Sequence, residues 1–268
     1  MIRAAIIGAS GRMGLALVRA AEVSELSVVS AVASSTSPAL GKDVGELAGI
    51  GALGVHVTPD LAAALSQADV AIDFSTAGAT QASLTACREA RKPLLIGTTG
   101  FAGDLTAAFE AAAKDIPLLV APNTSIGVTL LVELVREAAR ALPAQFDIEI
   151  LEAHHRTKRD APSGTALALG KAAAEGRNQP LVAVNAGVRR LDTAREPGEI
   201  GFAVVRGGDI AGEHSVLFAG IGETLTLSHR ATDRALFARG ALQAAAWLAL
   251  RPPGRYFMRD LVAYKSAG

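Results

Sequence analysis

Ile2-Arg3-Ala4-Ala5-Ile6-Ile7-Gly8-Ala9-Ser10-Gly11-Arg12-Met13-Gly14-Leu15-Ala16-Leu17-Val18-Arg19-Ala20-Ala21 is the stretch on which the fold turns. Ile2 to Ile7 is a short apolar run of the kind that forms a strand buried on both faces. Leu15 to Ala21 reads as helix. The glycine-rich turn between them has the layout that receives the pyrophosphate of a dinucleotide. Gly8 and Gly11 let backbone N–H groups approach phosphate oxygens, and the helix N-terminus adds partial positive charge. The spacing is G-x-x-G-x-x-G, with Ser10 where the commoner G-x-G-x-x-G has its middle glycine. Its place after a strand and before a helix lifts it above a plain tight turn.

The same alternation continues outward. Strands are predicted over Leu26 to Ala33, Val70 to Ser75, Pro93 to Ile96 and Pro117 to Val120. Helices are predicted over Asp60 to Ala68, Ala82 to Ala90 and Leu105 to Lys114, with Gly41 to Val57 irregular and carrying short elements. Two further strand ends carry turns, Gly97-Thr98-Thr99-Gly100 and Ala121-Pro122-Asn123-Thr124. In an open parallel sheet, ligands bind at those carboxyl ends. The expected fold class is α/β, with an N-terminal Rossmann-like doubly wound parallel sheet. The second strand runs into Ser34-Ser35-Thr36-Ser37, which offers no acid to a ribose 2′-hydroxyl and no repulsion to a 2′-phosphate.

Ser125 to Ala141 reads as a helix whose Leu130, Leu131, Leu134 and Val135 form a core stripe. After Pro143 the strands alternate polar with apolar residues, over Phe146 to Leu151, Phe202 to Arg206, Ser215 to Ala219 and Glu223 to His229. This predicts a second, α+β domain containing an open mixed sheet. Arg177 to Ile200 reads as a long loop. Asp233 can cap a further helix that runs to about Leu250 and is ended by Pro252-Pro253-Gly254. The expected domains are 1–125 plus 235–268 for the dinucleotide, and 126–234 for substrate binding and oligomerisation.

The 268 residues carry 26 Lys and Arg against 26 Asp and Glu, so nucleic acid and anionic membranes are poor partners. Cys87 is the only cysteine, which excludes an internal disulfide. Met1 to Gly8 lacks a signal-peptide layout and no apolar run spans a bilayer, so a cytoplasmic protein is expected.

Against that neutral background, Glu152-Ala153-His154-His155-Arg156-Thr157-Lys158-Arg159-Asp160-Ala161-Pro162-Ser163-Gly164-Thr165-Ala166 is locally basic. It suits a small anion bearing more than one carboxylate. Gly164 and Thr165 open a helix after Ser163, so their N–H groups, with the Thr165 hydroxyl and His155, can hold carboxylates. Lys158 stands among Arg156 and Arg159, whose like charge favours proton donation, and His154 can donate or relay a proton. Arg156 and Arg159 either hold the loop or touch substrate. His56, His214 and His229 read as structural. Zinc is not expected, because adjacent histidines diverge in extended chain and one cysteine completes no thiolate site. Nothing around Ser163 marks a nucleophile elbow.

Gly8-x-x-Gly11-Arg12-Met13-Gly14, Gly97-Thr98-Thr99-Gly100, the Glu152 to Ala166 stretch, and Gly201-Phe202 with Arg206-Gly207-Gly208-Asp209-Ile210-x-Gly212-Glu213-His214 together resemble the dihydrodipicolinate reductase family, nearly end to end and in order. The resemblance implies hydride transfer from NADPH or NADH to a cyclic dicarboxylate, with loss of water, in the diaminopimelate route to lysine. It implies a homotetramer built through the second domain. By position it puts cofactor contacts on Gly8, Ala9, Ser10, Gly11, Arg12 and Met13, on Gly97, Thr98 and Thr99, and on Ala121, Pro122, Asn123 and Thr124. It puts the catalytic pair on His154 and Lys158, substrate contacts on His155, Gly164 and Thr165, and no metal. Two positions depart from the pattern. Ser34 stands where relatives often carry an acid at the cofactor ribose, and Thr76 replaces an arginine. Two other readings stay open at this point: another Rossmann oxidoreductase acting on an amino or keto acid, and a non-catalytic dinucleotide sensor.

Overall fold

The computed structural model describes residues 1–101, 103–188 and 194–266. The chain divides into two compact units, Met1–Ser125 with Ala235–Gly268, and Ile126–Arg234.

The first unit begins with β1 (Ile2–Ile7), α1 (Arg12–Ala21), β2 (Leu26–Val32), α2 (Val44–Ala48), β3 (Val57–Thr58), α3 (Leu61–Gln67) and β4 (Val70–Asp73). It continues with α4 (Thr80–Glu89), β5 (Leu94–Ile96), α5 (Thr106–Ala113) and β6 (Pro117–Val120). Its strands form one sheet in the order β3-β2-β1-β4-β5-β6, followed at the edge by the late strand β12 (Gly254–Tyr256). Every pairing is parallel. The order reverses direction between β1 and β4, which is where such sheets open a crevice at their carboxyl ends. Ala4, Ala5, Ile6 and Ile7 are all buried, as the continuous apolar run required. Leu84, Phe109 and Ala112 pack with Leu94, Ile96 and Leu118 in the core beneath the helices.

The second unit holds α6 (Ile126–Ala141), β7 (Asp147–His154), α7 (Gly164–Gly176), α8 (Leu181–Val184), β8 (Asn185–Val188), β9 (Ile200–Arg206), β10 (Glu213–Ala219) and β11 (Thr224–Arg230). The sheet order is β11-β10-β7-β9-β8, antiparallel on the β10 side of β7 and parallel on the β9 side. It is a mixed sheet. Ile148, Ile150, Phe202, Val216 and Phe218 point from it into a core shared with Leu131, Val135 and Leu169. The chain then returns to the first unit through α9 (Ala235–Leu248), β12 and α10 (Met258–Ser266).

Three details differ from the sequence expectation. Leu130 and Leu134 are exposed, because the buried stripe of α6 runs through Val128, Leu131, Val135 and Ala139. Residues next in line sit about 100° around the helix from that stripe. The segment read as a long loop contains α8 and β8, while its residues 189–193 lie outside those described. Finally, β7 does not stop at Leu151 but runs on to His154.

Candidate functional site

The first unit presents its turns at one end of the parallel sheet. Gly8 has φ +82, open to glycine and strained for other residues, and Gly8 and Ala9 both donate to the Val32 carbonyl at 2.9 Å. Gly11 is the N-cap of α1 and supplies no side-chain cap to the N–H groups of the helix's first turn. Gly14 is the tightest of the three: a Cβ there would stand 2.3 Å from the Gly8 carbonyl oxygen. Arg12 is exposed and Met13 half-buried on this first turn. Ser10 meets Ser37 across the β2 turn, Oγ to Oγ 3.4 Å. Ser34 is exposed just past β2 and holds Thr36 through a 3.0 Å hydroxyl contact.

Asp73 closes β4 and is fully buried. Its carboxylate accepts from Ser75 N at 2.8 Å and from the Thr98 hydroxyl at 3.4 Å, and its carbonyl accepts from Gly97 N at 2.8 Å. It therefore ties the turn after β4 to the turn after β5. Sequence reading gave Asp73 no role. Burial and the nearby Asp73 push the Cys87 thiol up, so that cysteine is an inert core residue. Thr99 is exposed; Ala121 is buried and joined to Ile96 through its N–H. Pro122 is exposed, and Asn123 turns back to accept from Ser125 N at 2.8 Å. The Thr124 hydroxyl donates to Phe237 O at 2.7 Å, so its side chain anchors α9. An uncapped helix start, a left-handed glycine and a cluster of turns at the carboxyl ends fit a dinucleotide phosphate.

In the second unit the site grows out of the extension of β7. Alternation puts Ile148, Ile150, Glu152 and His154 on one face, so the inward row changes from apolar to polar without leaving the strand. The Glu152 carboxylate is wholly buried and takes four donors. Arg206 gives Nη1 to Oε2 at 2.8 Å and Nη2 to Oε1 at 2.7 Å. Ser163 N reaches Oε1 at 3.1 Å, and His154 Nδ1 reaches Oε2 at 2.5 Å. Burial works against the carboxylate, but the hydrogen bonds from Arg206, His154 and Ser163 outweigh it and hold its pKa below the usual value. His154 is lowered as well, chiefly by burial, with Glu152 opposing and Lys158 and Arg206 assisting.

His214, read from the sequence as structural, packs against this cluster. Its ring stands edge-on to His154, centroids 5.0 Å apart, and its Nε2 lies 3.2 Å from Ser163 Oγ. Burial first, then the charge of His154, pushes His214 down to about 4. Between pH 6.5 and about 4 the unfolded chain takes a proton that the folded one refuses, so stability falls as pH falls through that window. The loss reaches about 3 kcal/mol at its lower end. Lowering the pH from 7.5 to 5, above the carboxylate range, is expected to lower Tm. His214→Asn should lose less over the same interval, and equal losses in the two proteins would contradict this.

Beyond His154 the chain bends. His155 Nδ1 meets Thr157 Oγ1 at 2.7 Å, Lys158 N donates to His155 O at 3.1 Å, and Gly207 N donates to His154 O at 2.9 Å. Lys158 Nζ is 2.8 Å from Asp160 Oδ2. The first charge it meets is thus a carboxylate, and the like-charge argument made from Arg156 and Arg159 does not describe its surroundings. Both arginine side chains are exposed. Ser163 caps α7, accepting from Ala166 N at 3.2 Å, and so Gly164 and Thr165 form the helix's first turn as expected. Gly212 approaches from the β9–β10 turn: a Cβ there would lie 3.1 Å from His154 Nε2. The β9–β10 turn thus lies on the Nε2 side of His154, while the start of α7 is tied through Ser163 N to the carboxylate that holds Nδ1.

The chain matches the family model described as "Dihydrodipicolinate reductase, N-terminus" over residues 2–124 and the one described as "Dihydrodipicolinate reductase, C-terminus" over 127–262. It is 51% identical over 263 residues to a 4-hydroxy-tetrahydrodipicolinate reductase of Alkalilimnicola ehrlichii, covering 97% of this chain and 98% of the relative. It is 50% identical to the protein of that name from a Chelativorans species, covering 97% and 95%. A dipicolinate-bound dihydrodipicolinate reductase from Paenisporosarcina sp. TG-14 superposes with a TM-score of 0.75 at 25% identity, covering 96% and 97% of the two chains.

Proposed function

The chain belongs to the dihydrodipicolinate reductase family, and on that premise we propose that it reduces 4-hydroxy-tetrahydrodipicolinate to tetrahydrodipicolinate, with loss of water, in the diaminopimelate route to lysine. The observation that carries this reading is the His154 imidazole, held by a buried carboxylate beside Lys158 and the first turn of α7.

The first unit is the dinucleotide-binding domain, with Gly8 to Met13 at the phosphates, Ser34 near the ribose, and Gly97 to Thr99 with Ala121 to Thr124 toward the nicotinamide. When bound, the nicotinamide supplies the hydride. The second unit binds substrate. The N–H groups of Gly164 and Thr165 with the Thr165 hydroxyl grip one carboxylate, and His155 meets the other. His154 Nε2 and Lys158 Nζ supply the proton that meets charge building on the ring. Asp160 holds Lys158 in place between turnovers. The reaction belongs to the cytoplasm. The sheet face opposite α6 and α7 exposes Leu151 and Val205, which supports assembly through this unit as a homotetramer.

The test couples the enzyme to the synthase that makes its substrate and follows NADPH oxidation. Oxidation only in the presence of the synthase product supports the proposal; none, with turnover of a simple amino or keto acid, would replace it. Ser34 adds a second expectation: kcat/KM with NADPH at least equals that with NADH. A large NADH advantage would show that the missing acid is not what selects the coenzyme.

A further inference from the structure

Glu152 and Arg206 stand outside every role assigned so far, yet they make the densest polar contact in the second unit. Arg206 lies beside His154 in the parallel β7–β9 register, and its guanidinium also donates to the Asp160 carbonyl at 2.6 Å. Each Glu152 oxygen accepts twice, so the carboxylate has little freedom to rotate. Its Oε2 is fixed against His154 Nδ1, and a carboxylate held ionised there can only accept. Nδ1 is therefore the nitrogen that carries hydrogen, and Nε2 is the one left unprotonated, on the side where Gly212 passes without a side chain.

We infer that Glu152 and Arg206 are positioning residues acting as an opposed pair on His154: the carboxylate fixes its tautomer and presents Nε2, while the guanidinium cancels the carboxylate's charge so that the imidazole stays neutral at rest. Without Arg206, the buried carboxylate would favour the His154 imidazolium. Without Glu152, Arg206 would disfavour it. The other groups facing His154 are Lys158 from the loop, which disfavours its charge, and the His214 ring from β10. His229 acts on His214. None of these bonds to Nδ1, so the opposed effect belongs to the pair.

The inference rests on His154 being the proton carrier of the proposed reaction, but its test does not need substrate. Nitrogen-15 NMR of the imidazoles in the free protein, assigned with His154→Gln, reads tautomer and titration midpoint directly. The parent protein is expected to show the Nδ1–H tautomer at neutral pH. Glu152→Gln should lower the His154 midpoint by about one pH unit and Arg206→Met should raise it by about as much. The double variant should return toward the parent, and Arg206→Lys should stay near it. Should Arg206→Met alone fail to fold, the rise on going from Glu152→Gln to the double variant carries the same sign. The His154-dependent limb of the kcat pH profile should move in step. An Nε2–H tautomer, a midpoint unmoved by Glu152→Gln, or shifts of one sign in both single variants would overturn the pairing. Opposed NMR shifts with a kcat profile that does not follow would leave the pairing intact and remove His154 from the chemistry.

Discussion

Lys158→Ala is expected to lower kcat by ~10²–10⁴-fold while leaving the Kd for NADPH near that of the parent. The lysine is only partly exposed and pairs with Asp160 at 2.8 Å, so its ammonium is held at the mouth of the loop instead of sweeping through solvent. A pair whose carboxylate is this open to solvent adds little to stability, on the order of 1 kcal/mol or less, so the variant should fold. What it loses is a positioned proton. Lys158→Arg separates the two services a lysine can provide. It keeps the charge and recovers part of the substrate affinity, but a guanidinium does not give up its proton at neutral pH, so kcat stays low. His154→Ala is expected to lose kcat on the same scale. Cofactor binding should survive both changes, since the residues proposed for it lie on the other unit. Full turnover by Lys158→Ala with the synthase product would strike Lys158 from the reaction.

The first unit was legible because its signals are local. A strand buried on both faces, a glycine turn and a helix N-terminus each show in a few adjacent residues, and their repetition yields the parallel sheet. The second unit was legible only in part. His154 and Lys158 stood out as chemistry-bearing side chains on one short stretch. Glu152 did not, because its meaning comes from Arg206, 54 residues away on a neighbouring strand. No periodicity states which strands pair. One signal was available: the inward row of β7 continues from Ile150 into Glu152 and His154, and a polar side chain on a buried row needs partners. A candidate cation stood in Arg206-Gly207-Gly208. His214, on the same motif, reads as structural, and its contact with His154 likewise depends on strand pairing. The exposure of Leu130 and Leu134 shows the converse, that a row of leucines on a helix does not reveal which of two adjacent stripes is covered.

The glycines of the first turn should respond to substitution in opposite ways. Reading the motif alone assigns Gly8 and Gly11 to close approach of phosphate. In the structure, the position with least room is Gly14, where an added Cβ would be 2.3 Å from Gly8 O and 2.6 Å from Ala9 Cα. Those are backbone atoms of the turn itself, so they can move only if α1 moves away from β1. At Gly11 the nearest atom is Gly8 O at 3.2 Å, a crowding that a few tenths of an ångström relieves. Gly11 also has an extended backbone, φ −78 and ψ 167, which an alanine adopts without strain. Gly14→Val is therefore expected to destabilise the fold by several kcal/mol, seen as a Tm drop of ten degrees or more or as insoluble protein. Gly11→Ala should keep Tm within about 2–3 degrees and instead weaken NADPH binding roughly tenfold or more, because the methyl group stands where a phosphate must approach. Thermal scans and fluorescence titrations with NADPH on the two variants decide the matter. A stable Gly14→Val that binds NADPH normally would mean that the helix and strand are not in the contact described. Unweakened binding by Gly11→Ala would mean that the phosphate is held elsewhere than on the first turn of α1.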